Sequence, residues 1–428
     1  MFLKTSLIAL SILPGLVFCA PAASEALSVT TSTTSTAASS MPTVPYINTD
    51  PNESLWTEDS DPSVVQPERG TLGAPFLRPE PAENIAIDLQ NPDLLAPPST
   101  DSGAVMNAKW PFSLSHTRLQ TGGWVREQNV GVMPIATSLA GANMRLEPGS
   151  IRELHWHSCS EWAYVLKGST QITAVDDEGR NYVATVATGD DEGGSEFLLI
   201  FDDGSFGEDT TFSLIDWLDH VPAEVLQKNF QADTSAFAHI PGKELYIFPS
   251  TTLPEEDSLV PESPQGTVPQ PFSFALSKAN GTQTSGGSYK VVDSSTFEIS
   301  KTIAMVEVTV EPGAMRELHW HPSQDEWSYF IEGQGRVTLF AARGRARTFN
   351  YQAGDIGYVP IGMGHYVENT GNTTLKFIEV FKSDRYQDIS LNQWLALTPP
   401  HIVKDHLNVD DETIALMSKT KPFVIGPS

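Results

Sequence analysis

The run Gly313-Ala-Met-Arg-Glu-Leu-His319-Trp-His321-Pro-Ser-Gln-Asp-Glu326, together with Gly354-Asp-Ile-Gly-Tyr-Val-Pro360-Ile-Gly362-Met-Gly-His365-Tyr-Val-Glu-Asn369, decides how this chain folds. Side chains alternate faces along a strand, so His319 and His321 point the same way, about 6.5 Å apart along the backbone. Pro322 bends the chain behind them, which lets Glu326 return to the same face at the head of the β-rich run Trp327 to Ile331. The second segment reads as a strand, a Pro/Gly turn and a returning strand that delivers His365 as a fourth ligand. Three neutral imidazoles and one carboxylate suit manganese, iron, nickel or zinc and argue against a thiolate-type metal. Four protein ligands leave two positions on an octahedral ion for a small carboxylate and dioxygen or water. A lone His-x-His is more often an ordinary pair of core or surface side chains. The joint pattern of four ligands and flanking glycines is what points to a metal.

An internal repeat sets the architecture. Pro111-Phe-Ser-Leu114 recurs as Pro271-Phe-Ser-Phe274, and the stretch from Glu147 to His157 recurs from Glu311 to His321. From Pro111 onward, short Val/Ile/Leu/Phe runs punctuated by Gly, Asn and Asp indicate an all-β protein. The repeat implies two homologous barrels, one over 106–245 and one over 246–428, with His155, His157 and Glu161 as the first-barrel counterparts of the ligands. After each barrel comes a stretch with amphipathic helical spacing, Ser213 to Phe230 and Ser390 to Leu407.

One half serves as a ruler for the other. Glu161 to Gly189 and Glu326 to Gly354 are both 28 residues, but Gly354 to Phe377 is 23 whereas Gly189 to Phe197 is only 8. The first barrel therefore lacks about fifteen residues after Gly189, which would have carried most of a strand, the Pro-x-Gly turn, the histidine matching His365 and the returning strand. Losing such a hairpin opens two sheet edges and uncovers core side chains, at a cost of several kcal/mol at about 25 cal/mol per Å2 of apolar surface. A truncated gene model, a splice or allelic form, and a half that has become structural all fit the gap. Between the ligands of this half, alternation places Cys159 on the ligand face between His157 and Glu161; a passive buried thiol is its expected role.

The chain opens with Lys4, an apolar run from Leu7 to Phe18 and small residues at Ala20, Ala22 and Ala23, which reads as a signal peptide over 1–23. Its removal takes Cys19 away and leaves Cys159 alone, so no internal disulfide is expected and core size must supply the stability. Residues 24–105 form a Ser/Thr/Pro-rich spacer and an N-terminal arm, expected to lie extended against a domain or a neighbouring subunit. Asn52, Asn280 and Asn372 each open an N-glycosylation acceptor triplet, which fits a secreted glycoprotein, extracellular or in the cell wall. A formal charge of -27 argues against nucleic acid or anionic membrane as partners. It also repels dianions, so attraction of one must come from a metal and local arginines.

The spacing Gly-x5-His-x-His-x4-Glu-x6-Gly followed by Gly-x5-Pro-x-Gly-x2-His-x3-Asn resembles the two motifs of the cupin superfamily. The surrounding Arg316 to His321, Phe349 to Asp355 and Ser390 to Trp394 narrow the resemblance to bicupin oxalate decarboxylases, over roughly Pro111 to the C-terminus. That resemblance implies tandem double-stranded β-helix (jelly-roll) barrels with short helical extensions that pack between barrels and subunits in a homo-oligomer. It implies manganese(II), two ions per chain when both barrels are whole and one here, with dioxygen as co-catalyst, and cleavage of oxalate to formate and carbon dioxide. Arg152 and Arg316 would bind oxalate, their alternative being salt bridges to Glu153 and Glu317. Glu208, in Ser205 to Thr211, would be the lid proton donor, although Gly207 stands where the family has serine; without the family context Glu208 is a solvated loop residue. Glu379 points inward in its strand, where burial would raise its pKa and suit it to exchange protons; its first-barrel counterpart is Leu199. Oxalate oxidation to carbon dioxide and hydrogen peroxide, and a non-catalytic metal-binding or structural bicupin, are the alternatives.

Overall fold

The computed structural model describes residues 47–50, 53–57, 59–61, 68–69, 84–188, 193–250 and 260–427. The signal peptide, most of the spacer, and the loop from Gly189 to Glu192 lie outside the described residues. The first half of the chain supplies strands β1 (Lys109–Pro111), β2 (Thr117–Gln120), β3 (Gly123–Gln128), β4 (Ala140–Leu146), β5 (Ser150–Arg152), β6 (His155–Trp156), β7 (Glu161–Lys167), β8 (Ser169–Val175), β9 (Asn181–Ala187), β10 (Ser195–Phe201), β11 (Phe212–Ser213) and β12 (Ile247–Pro249). Five of them form one sheet in the order β2-β3-β4-β10-β7, and others pair as β8-β9, β6-β11 and β5-β12. Strand β10 shows why a continuous apolar run forms here. Phe197, Leu199 and Phe201 point into the first barrel, while Leu198 and Ile200 join the core shared with the second.

The second half repeats this plan with the missing part present. Its strands are β13 (Thr282–Gln283), β14 (Gly287–Val292), β15 (Ala304–Val310), β16 (Met315–Trp320), β17 (Glu326–Glu332), β18 (Gln334–Ala341), β19 (Arg345–Gln352), β20 (Asp355–Val359), β21 (His365–Asn369), β22 (Leu375–Phe381), β23 (Ile389–Ser390) and β24 (Val424–Ile425). One sheet runs β13-β14-β15-β22-β17-β20-β1 and the other β19-β18-β21-β16-β23, with β24 also paired to β16. The hairpin β20–β21 holds the two together, because β20 pairs with β17 in one sheet and β21 pairs with both β16 and β18 in the other.

Without that hairpin the first barrel is left open. Among the described residues, β7, β8 and β6 each keep a partner on one side only, so three edges are opened where the sequence suggested two. Strand β17 is buried over its first five residues, whereas every residue of β7 is exposed or half-buried. The separate first-barrel core is drawn from β3, β4, β10, β12, Phe206 and Tyr246, with nothing from β7, β8 or β9.

Two strands cross the boundary expected at 245/246. Strand β1 pairs with β20 of the second barrel, and β12 pairs with β5 of the first. The arm also settles on the second barrel: short helices α1 (Ile85–Gln90) and α2 (Pro92–Leu95) lie against β19, where Asp101 accepts from the backbone N–H of Thr348 at 3.0 Å and Lys109 donates to the Gln90 carbonyl at 2.9 Å. The helical stretches appear as α3 (Leu214–Asp219) with α4 (Ala223–Phe230) and α5 (Leu391–Ala396) with α6 (Pro400–Leu407). The difference between the barrels is measurable by denaturant unfolding: Leu339→Ala, in the buried β18, should cost about 2–5 kcal/mol, whereas Ile172→Ala, in the half-exposed β8, should cost less than about 1 kcal/mol.

Candidate metal centre

Strand geometry alone brings the second-barrel ligands together. His319 stands directly opposite His365 across the β16–β21 ladder, His321 follows β16, and Glu326 opens β17. Their donor atoms all lie within 4.8 Å of one another, and all four residues are buried. The turn between β20 and β21 is tied to this cluster by the N–H of Gly362, which donates to the His321 carbonyl at 2.9 Å, and by the N–H of Ile361, which donates to Asp325 at 2.7 Å. Gly362 sits at φ +76°, a left-handed conformation that glycine adopts without a Cβ penalty.

Hydrogen bonding sets the tautomer of every ring. The Nδ1 atoms of His319, His321 and His365 lie 2.7, 2.9 and 3.0 Å from the carbonyls of Glu317, Gln387 and Met363. A carbonyl can only accept, so each Nδ1 carries the proton and each neutral ring turns its Nε2 lone pair inward. His319 Nε2 is buried with no partner among the described residues, and the Nε2 atoms of His321 and His365 face Glu326 Oε2 at 2.9 and 3.1 Å. Burial and the Arg316 charge hold His319 well below the usual imidazole range. Converging lone pairs and a buried carboxylate repel one another unless a cation lies among them, so these residues fit a divalent ion.

Arg316 and Glu379 lie beside the cluster, both wholly buried. Arg316 does not pair with Glu317. Its Nε donates to Glu379 at 3.3 Å, and its Nη2 donates to Tyr386 and Asp388 at 2.7 Å each. Its guanidinium stacks on Phe423 at 3.8 Å. Asp388 is held well below the carboxylate range against its own burial by Arg316 and Lys421. Burial pushes the Glu379 carboxyl up to about 7, even though Arg316 lowers it. Among the described residues, Arg316 Nη1 and Glu379 Oε2 are left without partners.

The first barrel holds three ligands in the same manner. The donor atoms of His155, His157 and Glu161 also lie within 4.8 Å, and the two Nδ1 atoms donate to the carbonyls of Glu153 and Cys159 at 2.6 and 2.7 Å. Here the carboxylate is 28 % exposed, against 2 % for Glu326. Cys159 is not on the ligand face. The turn before β7 breaks the alternation, its thiol lies 3.7 Å from the His157 Nδ1 edge, and burial with nearby Asp202 pushes it up to about 11. Glu208 is buried rather than solvated, accepting from Arg152 at 3.0 Å and from the Tyr246 hydroxyl at 2.7 Å. The glutamates beside the arginines serve the backbone instead: Glu153 accepts from the N–H of Ile215, Leu245 and Tyr246, and Glu317 from that of Phe423.

Sequence reading missed Tyr246, Tyr386, Asp388 and Lys421. The repeat carried a signal for one of them, because Tyr246 and Phe423 occupy matching positions beneath Arg152 and Arg316.

A family model described as Cupin matches residues 112–236 and 273–415. Oxalate decarboxylase OxdC of Bacillus subtilis is 50% identical over 378 residues, which cover 85% of this chain and 97% of that protein. A probable oxalate decarboxylase of Arthroderma benhamiae is 40% identical over 394 residues, 86% of this chain and 96% of its own. Among solved structures, a mutant of the Bacillus subtilis enzyme superposes with a TM-score of 0.81 at 48% identity, covering 84% of this chain and 98% of that one. Another structure of that enzyme, reported for its Mn(II) centres, gives 0.80 at the same identity and coverage.

Replacing Glu326 by Gln preserves shape and removes the compensating charge. Divalent metal retained by the second barrel should weaken at least about 100-fold, judged against the 10–100-fold that outer partners alone contribute, read by metal analysis after dialysis with the circular dichroism unchanged.

Proposed function

Because the chain belongs to the bicupin oxalate decarboxylases, a family of carboxy-lyases, we propose that it cleaves oxalate to formate and carbon dioxide with manganese(II) held by His319, His321, Glu326 and His365. The observation that carries this reading is the unpartnered pair Arg316 Nη1 and Glu379 Oε2 beside four converging metal ligands. When bound there, manganese would supply a redox-capable Lewis acid that, with dioxygen as co-catalyst, makes carbon–carbon cleavage accessible. The protein must do the rest. A guanidinium with one free N–H edge can grip an oxalate carboxylate, and its stacking on Phe423 and its bonds to Asp388 and Tyr386 fix its direction.

Proton balance then decides the product. Oxalate dianion plus one proton gives formate and carbon dioxide; the electron pair of the broken carbon–carbon bond stays on the carbon that becomes formate, and that carbon needs the proton. Glu379, raised to about 7, is suited to donate it. Glu208 is the corresponding candidate in the first barrel, where Arg152 is the oxalate-binding residue. Among the described residues, metal binding in the first barrel rests on His155, His157 and Glu161 alone, and we infer that this half is impaired. The rival reading is oxalate oxidase: without a placed proton donor, oxalate, dioxygen and two protons give two carbon dioxide and hydrogen peroxide. The engagement of Glu208 by both Arg152 and Tyr246 favours that outcome in the first barrel.

A secreted, glycosylated homo-oligomer, extracellular or in the cell wall, completes the proposal. The exposed positions of Asn280 and Asn372 support it.

Manganese-loaded protein should release formate from oxalate in near one-to-one ratio to oxalate consumed, measured by NMR, with little peroxide by a coupled peroxidase assay. Peroxide in place of formate would favour the oxidase reading, and unchanged oxalate the non-catalytic one. Glu379→Gln should lower kcat by about 10²–10⁴. A donor must be protonated, so formate release should fall as pH rises through about 7, and that limb should vanish in the Gln variant.

A further inference from the structure

In the second barrel, β21 fills the slot between β16 and β18 and pairs with both. The first-barrel counterparts, β6 and β8, retain only their far-side partners β11 and β9 among the described residues. Between them lies a cavity of about 650 Å3, lined by Leu154, Trp156, Val175, Tyr182, Val183 and Leu214, with His155 also on its wall. On the inner face of β8, Ile172 and Ala174 are only half-buried, whereas the matching Val337 and Leu339 beside β21 are 4 % and 0 % exposed. Two facing strand edges with unspent N–H and C=O groups and an apolar lining make a template for an added strand.

We propose that this slot is an acceptor for a β-hairpin of another polypeptide, whose chemistry the second barrel specifies: a Pro-x-Gly turn, then a returning strand headed by histidine with an apolar residue two positions on. The internal repeat supports this directly. In the half that is whole, the slot is filled by His365-Tyr-Val-Glu-Asn369, whose Val367 is buried and whose His365 lies opposite His319. The first-barrel residues already in place match that arrangement: His155 takes the position of His319, and the Nδ1 atoms of His155 and His157 are bound to carbonyls as in the second barrel. A hairpin docked in this register pairs with both edges, covers Ile172 and Ala174 as Val337 and Leu339 are covered in the second barrel, and brings a third imidazole to the His155, His157 and Glu161 cluster. The inference does not depend on turnover of oxalate.

The test uses the full chain and a dye-labelled synthetic peptide of residues 354–369, followed by fluorescence anisotropy and by manganese content after gel filtration. Saturable binding is expected, together with a rise from one manganese toward two per chain. A peptide carrying His365→Ala should bind without the rise. Ala174→Arg in the protein, at the half-buried position matching the buried Leu339, should weaken binding at least about ten-fold, or about 1.4 kcal/mol, with the circular dichroism unchanged. Absence of saturable binding, equal binding of a scrambled peptide, unchanged binding to the Ala174→Arg protein, or unchanged manganese at saturating peptide would each overturn the proposal. So would a concentration-dependent dimer that excludes the peptide, since a second copy would then occupy the slot.

Discussion

The hairpin from Gly354 to Asn369 is the constraint on which the rest depends. It pairs one barrel sheet through β20 and the other through β21, so the closure of the barrel and the placement of His365 are one event. Its turn also grips the His321 carbonyl through Gly362. A closed barrel has no strand edges to satisfy, which is why the second half buries Trp327, Phe330 and Leu339 fully while the matching first-half strands stay half in water. The same sequence motif, His-x-His followed by Glu, gives a sealed four-donor site in one half and an open three-donor site in the other.

Around the sealed site, electrostatics are settled by pairing rather than by solvent. Arg316, Glu379, Asp388 and Lys421 form a chain of alternating charges next to the ligands, and each would be costly to bury alone. Glu379 is the weak link of that chain: burial pushes its carboxyl up to about 7 although Arg316 lowers it, while Arg316 and Lys421 together keep Asp388 ionised against its own burial. The overall charge of -27 repels anions, so a dianion arrives at this site through the local cations.

Much of this was legible in the sequence, because the ligands are short-range. His319, His321 and Glu326 are fixed by alternation and one proline, the Pro/Gly turn and returning strand after Gly354 supplied His365, and the repeat exposed the missing segment at Gly189. What the sequence did not yield depends on long-range pairing. Strand β1 crosses to the second barrel because β20 offers it an edge, and Asp388 reaches Arg316 from 72 residues away. Cys159 was placed on the ligand face by an alternation that the turn before β7 interrupts. The adjacent glutamates, natural partners for the arginines by proximity, are taken up by backbone N–H groups of the segments that return after each helix pair.

The account is tested most directly by titrating manganese(II) into metal-free protein and reading bound metal by electron paramagnetic resonance. It predicts one tight equivalent that His365→Ala abolishes, and a second at least about ten-fold weaker that His155→Ala abolishes. Two equivalents of indistinguishable affinity, or tight binding that survives loss of His365, would contradict it.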